Sequence, residues 1–419
     1  MHLHCLGGFG EVGRNAVLLE TAHEKILLDY GLKVESGEMP LPIKGNINAI
    51  ILCHPHLDHC GSVPTLYKKS QANIPFFATA ATFDQTHLLW NDSMKVSKLK
   101  GKPQIFNEKN IEQARRHEMV ITYGQELEIG HMNIEIHSAG HVPGSIMPVI
   151  DVDGKRILYT SDFNTMSTRL LNGADAKELR DIDVLIIEST YSAKEHPPRE
   201  KTEKDLINIV EETIQNNGIA LIPVFAVGRA AEIMMVLNSV KPKYSIYLDG
   251  MAREASEIAL RYPELLRNPA ALKDAMNKVI PLYTDDERKE AISEPCAIIT
   301  TGGCLDGGPA VFYIKYLYNR PECSLIFTGF QIPKTAGRYL LDTGHYVTEN
   351  MDLKVKMNMR YLDFSAHSGR TELFEFIKNI QPEHVICMHG DYCKRFATEI
   401  KSRMGIKAEA PENGEIVKI

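Results

Sequence analysis

The sequence predicts an α/β protein in which the character of the chain changes twice. Short apolar strands that end in polar residues dominate residues 1–194. Over residues 195–350, long helical patterns alternate with short buried strands, which is typical of a parallel α/β sheet. Strand and turn chemistry returns in residues 351–419. A chain of 419 residues is long enough for two or three domains of ordinary size.

The composition indicates sizeable hydrophobic cores and no membrane span. Hydrophobic residues make up 44% of the chain, yet they form no run long enough to cross a bilayer. The net charge of −7 argues against nucleic-acid binding over the whole surface but is compatible with a local basic channel. Residues 1–5 lack the start of a signal peptide, so we expect a cytoplasmic protein. The eight cysteines include no CxxC pair and are expected to be reduced thiols.

The start of the chain is predicted to form strands around a glycine-rich loop. Residues 6–13 form that loop, but it lacks the strand–GxGxxG–helix context of a dinucleotide site. Residues 15–20 and 25–31 are typical of a strand and a second hairpin arm. Asp29 in the second arm could cap a turn or hold a metal-binding histidine from behind, and the sequence leaves both roles open.

A cluster of potential metal ligands follows the next strand. Residues 47–52 form an apolar run, residues 53–59 (CHPHLDH) come directly after it, and a helix is predicted at about 61–69. Open α/β sheets place active sites at such strand ends. Imidazole and carboxylate suit zinc and related ions, so the cluster could serve two metals, one through His54 and His56 and the other through Asp58 and His59. The alternative is a surface patch of histidines.

Two further candidates lie in a meander of short strands predicted at 119–122, 126–129, 132–138, 145–152 and 156–160. His141 lies in a turn rich in Gly and Pro, and Asp162 follows the last of these strands. Taken singly, such residues are ordinarily a solvated histidine and a cap. Taken with the cluster, they supply a third histidine and a bridging carboxylate.

The middle of the chain is predicted to be a parallel α/β unit. The strand at 183–188 ends in Glu188, and a polar linker rich in proline follows it. Helices are then predicted at 229–237, 251–261, 310–317 and 336–341, each after a short buried strand. Glycine-rich turns lie at 302–309 and 329–330. Their backbone N–H groups could hold phosphates, or they could simply be tight βα turns.

Two more histidines, His367 and His389, lie at strand–helix junctions near the end of the chain. The candidate ligands then divide into three nitrogens for one ion, a carboxylate and two imidazoles for a second, and one shared carboxylate. These are His54, His56 and His141, then Asp58, His59 and His389, and finally Asp162. Two metals held in this way would lower the pKa of a bound water toward about 7 and produce a hydroxide nucleophile.

These motifs resemble a known fold and, within it, one family. The cluster at 53–59 with His141, Asp162 and the Asp29 strand is similar to the metallo-β-lactamase fold. An α/β insertion after Glu188, the segments 188–191, 364–369 and 388–391, and the segments 225–230 and 328–331 resemble the β-CASP nucleases. These include ribonuclease J and the endonuclease of the cleavage and polyadenylation machinery. The chain looks most like the short archaeal or bacterial members.

The resemblance implies a metallo-β-lactamase αββα sandwich, formed by residues 1–194 and 351–419, with a β-CASP domain inserted at 195–350. It implies two Zn²⁺ ions, with Mn²⁺ as an alternative, and hydrolysis of single-stranded RNA by a metal-bridging hydroxide. His367 would be the acid and Glu188 would orient it, and Asp58 is counted among both the catalytic residues and the ligands. The expected substrate contacts are Arg229, Ser365, Gly307 and Gly308.

Several alternatives stay open. The chain could be an inactive scaffold subunit of an RNA-processing complex, although such relatives typically lose metal ligands. It could be a small-molecule metallo-hydrolase, although these lack the insertion. Endonuclease and 5′-to-3′ exonuclease activity are not distinguished, and RNA is preferred over DNA only as an expectation. The chain is expected not to bind membranes, and it could form a homodimer or associate with other RNA-processing subunits.

Overall fold

The computed structural model describes residues 1–68, 73–99 and 101–419. The chain forms two compact units. We call the first the split unit; it contains residues 1–167, 172–195 and 367–419. We call the second the inserted unit; it contains residues 168–171 and 196–366. Among the described residues, no helix is both long and apolar enough to span a membrane.

The first part of the split unit is rich in short strands, because apolar residues recur in brief runs between turns. Its strands are β1 His2–Gly7, β2 Ala16–Glu20, β3 Lys25–Leu28, β4 Ala49–Ile51, β5 Phe76–Ala78, β6 Glu118–Val120, β7 Glu126–Ile129, β8 Met132–Ser138, β9 Ile146–Val152, β10 Lys155–Tyr159 and β11 Val184–Glu188. Its helices are α1 Leu57–Cys60, α2 Ala80–Leu99 and α3 Glu108–Arg115.

Over the described part of its range, the helix predicted at about 61–69 is confirmed only as a short 3₁₀ helix. The α-helix begins earlier, at Leu57, and ends at Cys60; a 3₁₀ turn, Val63–Tyr67, follows it. Pro64 stands in the first turn of the 3₁₀ segment, where a proline is tolerated but could not continue a preceding α-helix. Lys69 lies outside the described residues. The ligand segment therefore enters a helix directly and not after a longer loop.

The inserted unit alternates helices and strands, as the sequence predicts. Its elements are α4 Arg199–Gln215, β12 Ile219–Val224, α5 Arg229–Asn238, β13 Ser245–Asp249, α6 Met251–Arg261, α7 Pro269–Lys278, β14 Ile280–Leu282, α8 Asp285–Ala291, β15 Cys296–Thr301, α9 Pro309–Leu317, β16 Ser324–Phe327, α10 Ala336–Thr343, β17 His345–Thr348, β18 Met351–Lys354 and β19 Asn358–Tyr361. Six of its strands form one sheet in the order β14-β13-β15-β12-β16-β19, and every pair in that sheet is parallel.

The inserted unit extends to Ala366, beyond the 350 expected from the sequence. The reason is that β19 pairs in parallel with β16 and so belongs to the inserted sheet. Helices cover both faces of that sheet, because one hydrophobic cluster contains Ile222 and Val236 and another contains Leu221 and Leu317. The strands are consequently buried on both sides, which explains their continuous apolar sequences.

The end of the chain returns to the split unit. Its elements are α11 Arg370–Ile380, β20 His384–Met388, α12 Cys393–Met404, β21 Lys407–Glu409 and β22 Ile416–Lys418. The two seven-stranded sheets have the orders β22-β1-β2-β3-β4-β5-β6 and β21-β20-β11-β10-β9-β8-β7. Because β20 pairs with β11 and β22 pairs with β1, the last segment contributes to both sheets.

The split unit has four layers. The two sheets pack face to face through one hydrophobic cluster that includes Ile51 of β4 and Ile157 of β10. Trp90 of α2 belongs to the cluster on the outer face of the first sheet, and Phe376 of α11 belongs to the cluster on the outer face of the second. This αββα arrangement with an inserted parallel α/β unit confirms the predicted fold class.

Candidate metal centre

Polar side chains of the split unit meet at one edge of its second sheet. Strands β10, β11 and β20 are parallel neighbours, so their carboxyl ends lie at the same edge. Asp162 follows β10, Glu188 ends β11 and His389 follows β20. Parallel pairing of strands that are distant in sequence therefore places these three residues together.

The first group of potential ligands combines the segment after β4 with the turn before β9. A ligand atom from each of four residues lies within 4.8 Å of the others; these residues are His54, His56, His141 and Asp162. The Asp162 Oδ2 atom lies 3.5 Å from His54 Nε2 and 3.8 Å from His141 Nε2. The Ser145 hydroxyl accepts a hydrogen bond from the His141 backbone N–H at 3.2 Å, which fixes the turn.

The second group shares Asp162 with the first. It consists of Asp58, His59, Asp162 and His389, again with one ligand atom from each residue within 4.8 Å of the others. His59 Nε2 lies 3.4 Å from Asp162 Oδ2, and His389 Nε2 lies 3.4 Å from Asp58 Oδ2. These two groups have the same members as the two ligand sets expected from the sequence, and their binding of metal stays a prediction.

The burial of these groups fits a divalent ion. His54 is 0% exposed, and Asp162 and His389 are each 2% exposed. Among the residues that the structure describes, the buried atoms His54 Nε2 and His389 Nε2 have no hydrogen-bond partner. A buried polar atom without a partner is costly and calls for an explanation. Imidazole nitrogens that converge on carboxylates are the donors that zinc prefers, so the residues fit a metal.

The histidines of the centre differ in the direction in which their pKa values are shifted. Burial lowers the pKa of His54 well below its usual range and lowers that of His56 to about 4. Burial also opposes the charged form of His59, but the carboxylates of Asp162 and Asp29 prevail and raise its pKa to about 10. The centre therefore offers some neutral imidazoles and some imidazolium ions whose protons a metal would displace.

The carboxylates are held ionised. Burial alone would raise the pKa values of Asp58 and Asp162, but neighbouring imidazolium groups, above all that of His389, lower both. The pKa of His389 is in turn raised well above its ordinary value, because the two aspartates outweigh the effect of burial. This charge pattern suits exchange of protons for divalent cations.

Asp29 contacts the candidate ligand His59 through the ring nitrogen that faces away from Asp162. Its Oδ2 atom lies 2.7 Å from His59 Nδ1 and accepts a hydrogen bond from the Tyr159 hydroxyl at 2.9 Å. Its Oδ1 atom accepts the Cys53 backbone N–H at 2.8 Å. Of the two roles left open by the sequence, this geometry matches the second, in which Asp29 fixes the ring of a metal-binding histidine.

The candidate acid and its carboxylate also lie together. His367 Nδ1 lies 2.9 Å from Glu188 Oε1, and His367 Nε2 lies 3.9 Å from Asp162 Oδ2. Burial would lower the pKa of His367, but Glu188 and then Asp162 raise it overall. The Glu188 carboxylate is itself fixed, because Oε2 accepts the Thr190 backbone N–H at 3.1 Å.

Sequence reasoning missed several residues around the centre. The Ser161 hydroxyl lies 3.1 Å from Asp29 Oδ2, Asn15 Nδ2 lies 2.8 Å from His59 Nε2, and Thr190 Oγ1 lies 3.2 Å from His389 Nδ1. The only available signals were the position of Ser161 beside Asp162 and that of Thr190 beside Glu188. Serine, threonine and asparagine are too common in loops for those positions to be informative.

The four expected substrate contacts all belong to the inserted unit. Arg229 begins α5, and its guanidinium donates to the Thr328 carbonyl. Gly308 precedes α9 with a φ of +73°, and the space beside Gly307 is open. The Ser365 backbone N–H donates to Asp363 Oδ1 at 3.1 Å. That these residues contact substrate stays a prediction.

Three known domains match successive parts of the chain. Residues 18–188 match the metallo-beta-lactamase superfamily domain, and residues 208–340 match the Beta-Casp domain. Residues 352–411 match the Zn-dependent metallo-hydrolase RNA specificity domain. Together with the site geometry, the zinc-dependent domain supports a divalent metal centre.

The chain is similar to several archaeal proteins and, in its fold, to a solved bacterial structure. "Probable RNase MJ4" of Methanocaldococcus jannaschii is 35% identical over 98% of each chain. "RNase aCSPSF2" of Saccharolobus solfataricus is 32% identical over 100% of this chain and 85% of its own. "Transcription termination factor FttA" of Pyrococcus horikoshii is 33% identical over 99% and 70%. A protein of unknown function from Enterococcus faecalis V583 shares the fold, with a TM-score of 0.60 at 16% identity over 99% of each chain.

The identification made from the motifs is therefore confirmed over the whole length of the chain. The relative from Methanocaldococcus jannaschii and this chain cover each other almost completely, and all three domain matches occur in the order that the motifs predict. The chain belongs to the β-CASP family of metallo-hydrolases.

Proposed function

We propose that this chain is a metal-dependent ribonuclease that hydrolyses phosphodiester bonds of single-stranded RNA during RNA processing or decay. One observation carries the proposal. Asp162 is shared by two groups of histidine and aspartate ligands, and the His367–Glu188 pair lies against the same carboxylate. The relatives named as ribonucleases in two archaea support RNA as the substrate.

The proposed cofactors are two Zn²⁺ ions, with Mn²⁺ as an alternative. One would be held by His54, His56 and His141, the other by Asp58, His59 and His389, with Asp162 serving both. When bound, such ions activate water as a nucleophile and stabilise charge on a phosphoryl group. Asp29 keeps His59 oriented by accepting a hydrogen bond from Nδ1.

His367 supplies the proton for the leaving group. Its raised pKa, caused by Glu188 and Asp162 against the effect of burial, favours the protonated ring at neutral pH. Nδ1–H donates to Glu188, so the proton on Nε2 is available to the 3′ oxygen as the bond to phosphorus breaks. Glu188 acts as the group that orients the acid and stabilises its charge.

Asp58 is proposed to act in catalysis as well as in metal binding. His389 and His59 lower the pKa of Asp58 against the effect of its partial burial, which keeps the carboxylate ionised. An ionised carboxylate in the centre can accept a hydrogen bond from the attacking water and hold its orientation. The predictions of a cytoplasmic location, a homodimer or association with other RNA-processing subunits stand on the sequence alone.

RNA labelled separately at each end tests the proposal directly. The purified protein, loaded with Zn²⁺ or Mn²⁺, is incubated with linear RNA carrying a 5′ monophosphate or a 5′ triphosphate, and with circular RNA. We expect hydrolysis of RNA in at least one of these forms. Cleavage of the circle would establish the endonuclease, and mononucleotide release only from the 5′ monophosphate would establish the exonuclease.

Two outcomes would contradict the ribonuclease. An absence of cleavage of any RNA by protein that retains its metals would favour an inactive scaffold subunit. Hydrolysis of thioesters or lactams without cleavage of nucleic acid would favour a small-molecule metallo-hydrolase. Matched single-stranded DNA serves as the control for the sugar, since DNA cleaved as fast as RNA would contradict RNA selectivity.

A further inference from the structure

The inserted unit exposes two phenylalanines on neighbouring loops. Phe225 is 39% exposed and Phe330 is 47% exposed, whereas Phe327 and Phe364 in the same unit are buried. A single exposed apolar side chain needs no explanation. Two exposed aromatic rings on adjacent loops form an apolar patch that the folding of the unit does not require, and such a patch indicates a binding surface. The ribonuclease mechanism proposed above uses neither ring.

Strand pairing places the two loops side by side. Strands β12 and β16 are parallel neighbours with Leu221 opposite Leu325, and Phe225 and Phe330 lie just beyond their carboxyl ends. The two loops approach each other closely, because a Cβ built on Gly329 would lie 3.6 Å from Phe225 Cε2. The same Cβ would lie 3.1 Å from Arg229 Nη1, so the guanidinium group lies beside Gly329, the residue before Phe330.

The loops are fixed before any ligand arrives. Gln331 is 3% exposed, and its Nε2 atom donates to the Gly303 carbonyl at 2.9 Å. This bond ties the loop after β16 to the loop after β15. Arg229 donates to the Thr328 carbonyl and so ties α5 to the start of the Phe330 loop. A surface held in this way loses little conformational freedom on binding.

Proteins that bind single-stranded RNA combine exposed aromatic rings with nearby cationic side chains. Bases stack on aromatic faces whatever their identity, and a nearby guanidinium favours the phosphate chain. Bases in a duplex are already stacked on their neighbours and cannot present their faces. We propose that Phe225 and Phe330 form a base-stacking platform for single-stranded RNA on the inserted unit, an inference that rests on the proposed ribonuclease function.

Binding to RNA with and without bases tests the platform. The full-length, metal-loaded protein is titrated into fluorescent phosphorothioate oligoadenylate, which resists hydrolysis, and into an abasic phosphorothioate strand of equal length. We expect Phe225→Ala and Phe330→Ala each to weaken oligoadenylate binding by about tenfold, the scale of one lost stacking contact. Binding of the abasic strand should be unchanged, because the phosphates remain.

The control is Tyr316→Ala, which removes another exposed ring of the inserted unit, 49% exposed and located on α9. It should bind both strands as the unmodified protein does. The platform is overturned if the Phe225 and Phe330 variants bind oligoadenylate as tightly as the unmodified protein does. It is also overturned if their affinity for the abasic strand falls by the same factor as their affinity for oligoadenylate. A thermal melt of each variant shows whether the fold is retained.

Failure of the platform is distinguishable from failure of the ribonuclease. If the unmodified protein cleaves ordinary RNA while the phenylalanine variants bind normally, only the platform is wrong. If the unmodified protein neither cleaves RNA nor binds either strand, both proposals are wrong. Equally tight binding of duplex and single strands would also overturn the platform, because paired bases offer no free faces for stacking.

Discussion

Two buried aspartates at strand ends, one in each unit, have opposite surroundings. Asp162 follows β10 of the split unit and is 2% exposed, and Asp249 ends β13 of the inserted unit and is 0% exposed. Arg288 pairs with Asp249 through two bonds of 2.8 Å each, and the Tyr313 hydroxyl donates to the same carboxylate at 2.6 Å. Asp162 is instead surrounded by imidazoles.

The donors around each carboxylate decide its role. Arginine is a permanent cation with a planar fork that satisfies both carboxylate oxygens, so Asp249 needs nothing further. The imidazoles around Asp162 can release their protons, and His54 Nε2 and His389 Nε2 have no hydrogen-bond partner among the described residues. A buried carboxylate at a strand end is therefore a metal-site candidate only where its neighbours are titratable and incompletely paired.

Replacement of the shared carboxylate should give the largest effect. Asp162→Ala removes an oxygen common to both ligand groups, so we expect loss of bound metal. We also expect kcat/KM for RNA to fall by at least about a thousandfold, the scale on which catalytic groups act as a unit. Elemental analysis of the purified variant measures the metal, and end-labelled RNA measures the activity.

The matched control for Asp162→Ala is the unmodified protein stripped with a chelator. If the metals are the reason for the loss, stripping should abolish cleavage and added Zn²⁺ or Mn²⁺ should restore it. The same addition should not rescue the variant. An Asp162→Ala protein that retains both metals would show that the carboxylate is structural, as we infer for Asp249.

Removal of the candidate acid should separate catalysis from metal binding. His367→Ala removes the proton donor but no member of the two groups of candidate ligands, so the metal content should be unchanged. General acid catalysis contributes about 10²–10⁴-fold, and kcat should fall by that factor. Glu188→Gln, which keeps the shape but removes the charge next to His367, should give a smaller loss. A missing ion in His367→Ala would make that histidine a ligand instead.

The sequence predicted which candidate ligand residues come together better than it predicted the residues that hold them in place. Residues 53–59 could be interpreted because their ligand types are rare at such density after a buried strand. Ser161 could not, because its contact with Asp29 depends on backbone conformations that the residue names do not reveal. Ser161 has a φ of +48° and Asp29 a φ of +59°, both in the left-handed region that residues other than glycine adopt in only a small minority of cases.

The same limit applies to the fold. Alternation of helices and strands was visible in the inserted unit because periodicity is local in sequence. The position of β19 was not, since its pairing with β16 is a contact between segments separated by a helix and a hairpin. The pairing of Asp249 with Arg288 was invisible for the same reason, so the contrast between the two aspartates emerges only in three dimensions.

Breaking the ion pair of Asp249 should lower stability and leave the metals in place. Asp249→Asn leaves Arg288 without its bidentate partner, although Asp285 still contacts that guanidinium at 2.7 Å. Loss of a partner from a buried pair costs about 3–5 kcal/mol, and the remaining contact favours the low end. Urea unfolding measures the loss and elemental analysis the metal. Depletion of metal in this folded variant would break the distinction between the two aspartates.

The smallest loss of stability should come from replacing Tyr313. This replacement tests whether the charge of its hydrogen-bond acceptor, Asp249, strengthens the bond. Tyr313→Phe removes one hydrogen bond to an ionised carboxylate, worth about 1.5–3 kcal/mol, while Arg288 continues to satisfy Asp249. The control, Tyr346→Phe, removes a bond of 3.0 Å to the neutral Leu305 carbonyl and should cost only about 1 kcal/mol. Both hydroxyls are on fully buried rings, so desolvation is matched.

In the Asp249→Asn background the stability cost of Tyr313→Phe should fall toward that of the control, because the charge on the acceptor is gone. If Tyr313→Phe costs as much in the Asp249→Asn background as in the unmodified protein, the charge of Asp249 does not strengthen this hydrogen bond.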